Sequence, residues 1–164
     1  MPLPRTPAAA EIVAENLAAV RRHVGVPVAL ENISYYFEYP ESTLGEAEFI
    51  GLVLRESGCG LLLDLENLYL NATNHRYEAR DFIDSLAPGL VKGVHVAGGV
   101  QRDGILVDTH DRPVPEPVFE LLDYLLKRQA PDSIILERDQ EFERLDEVFD
   151  DVTRLRQIVA SNAP

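Results

Sequence analysis

The chain has a single cysteine, Cys59, among its 164 residues, so no intrachain disulfide can form. That suits a reducing compartment, and the expected location is cytoplasmic. The opening Met1-Pro2-Leu3-Pro4-Arg5 lacks the apolar core of a secretory signal. The longest apolar runs are strand-sized, which excludes a membrane-spanning helix. Basic residues are also scarce, 15 against 28 acidic ones, for a formal charge of −13. Such a surface repels nucleic acid backbone, and the Arg21-Arg22 pair is too small to override it, so no nucleic acid or membrane partner is expected. Low-complexity tracts and linker-like segments are absent, and one domain over residues 1–164 is expected.

What is present is an alternation of apolar runs with amphipathic stretches. Ile12, Val13, Leu17 and Val20 share the spacing of one helical face, predicting a helix over about 8–23 that ends at Gly25. A short strand over 26–30 runs into Glu31-Asn32. A second helix is predicted over 46–57, stopped by Gly58, and a strand over 60–64. A shorter helix over 79–86 precedes a third strand over 90–96. A loop comes next, then a helix over 117–128, a fourth strand over 133–137 and a last helix over 143–160. The strands are continuous apolar runs, the pattern of parallel strands covered on both faces. Four strand–helix units preceded by one helix predict an α/β fold with four parallel strands.

Each strand ends in a polar side chain: Glu31, Asp64, His95 and Glu137 in turn. Asp108 and His110 sit in the loop after the third strand. Taken singly, each has an ordinary structural explanation: a helix cap at Asp64, a core histidine at His95, an Asx-type turn at Asp108-Thr109-His110. Together they fall on the C-terminal edge of one sheet, where α/β folds bind ligands, and there a metal site is the stronger reading. Asp108 and His110, two apart on an extended stretch, are expected to face one ion. Asp64 and Asn67, three apart, share a face on a helical turn. Oxygen and imidazole donors without thiolate suit iron, manganese or zinc alike. Cys59 reads as a packed small hydrophobe. Tyr35, Tyr36 and Tyr69 either line a pocket or pack, and His23 and His75 stay unassigned.

Glu31-Asn32-Ile33-Ser34-Tyr35-Tyr36, Leu61-Leu62-Leu63-Asp64-Leu65-Glu66-Asn67-Leu68-Tyr69, His95-Val96-Ala97-Gly98, Val107-Asp108-Thr109-His110-Asp111 and Glu137-Arg138-Asp139 occur in one order along the chain. In that order they resemble the multinuclear non-heme iron-dependent oxidases, a family first catalogued as of unknown function. The resemblance implies a xylose-isomerase-like TIM barrel, of which this chain would be the C-terminal half, with four of the eight strands. It implies two or three iron ions and O₂-dependent oxidation of cysteine residues in ribosomally made precursor peptides. A partner protein would present the peptide. By resemblance Glu31, Asp64, His95 and Glu137 form one metal site, and Asn67, Asp108 and His110 a second. The histidines of a third would lie in an absent first half, so the chain is expected to form a homodimer or to join such a half. Two positions depart from the family pattern: His-x-Ala-Gly-His ends here in Gly99, and Glu66 stands where asparagine is usual. The alternatives are a zinc or manganese enzyme of the endonuclease IV or sugar isomerase type, hydrolytic or isomerising, and a non-catalytic remnant that serves as a binding half.

Overall fold

In the computed structural model, which describes residues 2–163, six helices and six strands take the order expected of an α/β chain. Helix α1 (Pro7–Val24) begins where the Thr6 side chain accepts a hydrogen bond from the Ala9 amide, with proline in the first turn. It ends at Gly25, whose φ of 68° is the left-handed conformation that glycine adopts without a Cβ penalty. Strand β1 (Ala29–Glu31) leads to α2 (Glu46–Ser57), β2 (Gly60–Asp64), α3 (Leu65–His75) and α4 (Ala79–Ser85). Strand β3 (Val91–Val96), the hairpin β4 (Val100–Arg102) and β5 (Ile105–Val107), α5 (Glu116–Leu126), β6 (Ser133–Leu136) and α6 (Leu145–Ser161) complete the chain.

The four main strands form one parallel sheet in the order β1-β2-β3-β6, as the continuous apolar runs predict. Strand and helix positions match the sequence expectation, with shifts at the ends: β1 starts at Ala29 rather than 26, and α6 at Leu145 rather than 143. Among the described residues β1 and β6 each pair along one edge only, so the sheet is open and compatible with part of a TIM-like barrel.

The predicted element order omits one helix and one hairpin, although the cap reading of Asp64 already implies a helix from Leu65. Helix α3 fills the segment after β2, and its polar Glu66, Asn67 and Asn71 mask the apolar stripe of Leu65, Leu68 and Ala72 that buries it. The stretch after β3 is not plain loop but a hairpin turning at Asp103-Gly104, where φ is 50° and 82°. Positive φ at both central residues matches the right-handed twist of the flanking strands, and an Asp-Gly pair is its usual signature.

Register divides the sheet into two unlike faces. Leu61, Leu63, Val94 and Val96 point to the helices and are fully buried. With Val53, Leu54, Leu68, Val118, Leu122 and Leu125 they make the core. Asp64 pairs with His95, and His95 with Ile135, so these three lie on the opposite face. In parallel strands alternate residues share a face, which adds Glu31, paired to Leu62, and places Glu137 just past β6 on the same side.

Candidate metal centre

Strand ends and one turn deliver the polar groups to a single place. Asn32 ties the first two strands together: its Nδ2 donates to the Asp64 carbonyl (2.9 Å), and its Oδ1 accepts from the Asp64 amide (2.8 Å). Asn67 Nδ2 in turn donates to the Asn32 carbonyl (3.1 Å). Asp64 is the N-cap of α3, and its Oδ1 accepts from the Asn67 amide at 2.7 Å. The capping explanation of Asp64 is therefore correct for one oxygen. The other, Oδ2, is buried and has no hydrogen-bond partner.

Glu31, Asp64, His95 and Glu137 each place one donor atom so that all four lie within 4.8 Å of one another. These are the four strand-end residues picked out from sequence. His95 Nδ1 sits 2.9 Å from Glu31 and 3.2 Å from Glu137. A second group brings Glu66, Asp108 and His110 together under the same limit. His110 Nε2 is 3.1 Å from Glu66 and 3.0 Å from Asp108, and its Nδ1 is 3.1 Å from Glu137. One Glu137 oxygen thus faces each histidine, and the two groups adjoin through this carboxylate.

Asp108 and His110 do meet, but not on an extended stretch. The segment is irregular and His110 has φ of 48°, a left-handed kink that turns its ring back toward Asp108. Asp108 is held from outside the cluster, where Ser34 Oγ donates to its carboxylate (2.9 Å) and Tyr36 OH accepts from its amide (3.0 Å). The Asp139 amide donates to the His110 carbonyl at 2.8 Å. Asn67 lies at the same edge with Oδ1 buried and unpartnered. Glu66 is the donor that the residue reading left out. Its separation of two from Asp64 was visible, but on a helical first turn that spacing does not announce a shared side. His75 stacks on Tyr35 and its Nε2 contacts the Tyr35 carbonyl, away from both groups.

Electrostatics reflect this crowding. Burial pushes the Asp64 carboxyl up to about 7, against the pull of the Asn67 amide and His110. Burial also raises Glu66, opposed by His110. His110 rises to about 9 because the Glu66 carboxylate lies against it, which outweighs its own burial. Six buried side-chain polar atoms lack a hydrogen-bond partner among the described residues, and five belong here: Asp64 Oδ2, Glu66 Oε2, Asn67 Oδ1, His95 Nδ1 and His110 Nε2. Orphaned buried polar atoms are rare, and five converging on one spot fit a bound cation. A concavity of about 1030 Å³ lies elsewhere: Arg21, Arg22, Lys92 and Asp132 line it at the N-terminal ends of the strands, and no cluster residue does.

A parallel α/β sheet with carboxylates and imidazoles gathered at its C-terminal edge defines a class of protein with a candidate metal centre at the strand ends. Within that class the chain belongs to the family described as RiPP precursor modification enzyme MbnB/TglH/ChrH, which matches residues 1–160. The motifs resembled this same family. A UPF0276 protein of Rhizorhabdus wittichii is 35% identical over 152 residues, covering 93% of this chain and 54% of the relative. One from Paraburkholderia phytofirmans is 39% identical over 146 residues, 86% and 48% of the two chains. Another from Caulobacter vibrioides is 33% identical over 158 residues, 95% and 56%. The chain spans about half the length of these curated relatives. No helix among the described residues is long and apolar enough to cross a membrane.

Proposed function

We propose that this chain is the metal-binding half of a TIM-type barrel enzyme that oxidises cysteine residues of a ribosomally made precursor peptide, with iron as the metal. The observation that carries the reading is the set of five unpartnered buried donor atoms, from β2, β3, α3 and the segment after β5, at the C-terminal edge of the sheet. Glu31, Asp64, His95 and Glu137 would hold one ion, and Asp108 and His110, with Asn67 beside them, a second. Iron there would supply redox chemistry with O₂ as oxidant. The chain's own part is to fix the donors. Asn32 locks β1 to β2, Ser34 and Tyr36 aim Asp108, and Glu137 sets the spacing between the two histidines. Oxygen and nitrogen donors without cysteine suit iron, as they do manganese and zinc, and the family resemblance favours iron. The family description supports a peptide as substrate. Presentation of that peptide by a partner protein, and pairing of the open sheet edges with a second copy or a complementary half, belong to the same proposal.

The test is metal analysis after anaerobic reconstitution with Fe(II). Wild-type protein is expected to retain iron and His95→Ala to lose most of the first-site ion, since removing one donor of four leaves too few. Protein that takes up no iron would end the proposal. Selective retention of zinc would move the reading to the hydrolytic enzymes instead. With a charge of −13, no duplex DNA binding is expected at physiological salt, and a micromolar, salt-sensitive gel shift would favour that alternative too.

A further inference from the structure

Glu66 is the second residue of α3, where a helix needs no buried carboxylate. An acidic side chain in a first turn interacts favourably with the helix dipole while pointing to solvent. Glu66 instead turns inward, is 3% exposed, and forms no salt bridge with lysine or arginine among the described residues. Its Oε2 makes no hydrogen bond, although His110 Nε2 is only 3.1 Å away. Among the described residues its neighbour of opposite charge is His110, and that one imidazole also lies 3.0 Å from Asp108 and 3.1 Å from Glu137, so three carboxylates share it and the excess negative charge calls for a further cation.

Gly99 explains how Glu66 reaches that position. Its φ is not in the left-handed region, so the backbone does not require glycine. Space does: a Cβ built on residue 99 would overlap Glu66 Oε1 and the Val107 carbonyl oxygen. The two positions that depart from the family pattern in sequence are thus neighbours in space. The chain lacks a side chain at 99 and fills the volume with a carboxylate delivered from α3.

We propose that Glu66 is a direct ligand of the second ion, together with Asp108 and His110, and that Gly99 makes room for it. This rests on the reading of the strand ends as a two-ion centre. Two carboxylates balance the charge of a divalent cation, and with one imidazole they form a hard donor set suited to iron or manganese.

The experiment is anaerobic titration of the full chain with Fe(II), and separately with Mn(II), read by calorimetry and by metal content after desalting. Wild type is expected to bind two ions. Glu66→Gln, nearly isosteric, is expected to keep the first and weaken the second by at least about 10–100-fold, the loss that even an outer-sphere partner can cause. Circular dichroism of metal-free Glu66→Gln should match that of wild type, so that a lost ion reports ligation rather than unfolding. Gly99→Ala should weaken the same second step by displacing Glu66. Glu66→Gln that binds as many ions as wild type, with the same affinities, would overturn the assignment while leaving the two-ion reading intact. Wild-type protein that binds none would end both.

Discussion

The two faces of the β1-β2-β3-β6 sheet come from the same strands and the same alternating residues, yet they do opposite things. Val94 faces the helices and is completely buried among apolar neighbours; His95, the next residue, faces the other way among carboxylates. On the helix side Leu61, Leu63, Val94 and Val96 close a core. On the other side Asp64, His95 and, at its rim, Glu66, Asn67 and His110 collect five of the six unpartnered buried polar atoms. Ile135 on that side stays 46% exposed. Stability is concentrated on one face, and the other holds groups whose burial without full partners costs stability. Sites assembled for chemistry commonly carry such local cost.

The difference can be broken most forcefully at Leu63. Leu63→Ala empties a fully buried position on the helix side and is expected to destabilise the metal-free chain by about 3 kcal/mol in urea unfolding. A loss below about 1 kcal/mol would mean that this face is not where the stability resides.

Glu46 sharpens the comparison from outside either face. At the start of α2 it accepts hydrogen bonds from Tyr77 OH (3.0 Å) and Asn71 Nδ2 (3.4 Å), and burial pushes its carboxyl up to about 7. The folded state holds this proton more tightly than the unfolded chain. Its stabilising contribution is therefore complete below the ordinary carboxylate range and lost as pH rises toward 7. Glu46→Gln should remove a decline on the order of 2 kcal/mol between pH 4.5 and 7. An unchanged slope in stability-versus-pH measurements would assign that decline to other groups.

The smallest effect is expected at Asp64, next in sequence to Leu63. Asparagine caps helices about as well as aspartate, so Asp64→Asn keeps the bond to the Asn67 amide and removes an unpartnered charge. Metal-free stability should stay within about 1 kcal/mol of wild type while iron content falls. If Asp64→Asn unfolded the chain as Leu63→Ala does, the division between a stabilising and a functional face would fail.

Much of this was legible in the residues. The apolar spacing over 12–20 announced α1 but not its buried face, since Val13 and Leu17 pack against the core while Ile12 and Val20 are exposed and the small Ala10 and Ala14 are the buried residues. The continuous run Gly60–Asp64 announced β2 with its boundaries. The strand-end residues Glu31, Asp64, His95 and Glu137 were recognisable because parallel strands present their C-terminal ends together. The hairpin at Asp103-Gly104 carries its signal in that dipeptide. Helix α3 lacks a clear one, since the polar residues it sends into the site interrupt its apolar stripe. Glu66 escapes a reading of the residues for the same reason, because its role depends on which way one turn of helix faces.

By itself the sequence determined the features set by short-range periodicity and strand alternation: an α/β chain, four parallel strands, and a metal-competent residue at each strand end. Membership in the family was written in the order of its motifs. Only the tertiary structure decided which donors meet. The kink at His110, the sharing of Glu137 between two imidazoles and the exchange of a side chain at 99 for the carboxylate of Glu66 all bring together groups from different elements. Such contacts depend on packing between elements, and packing is not a local property of the chain.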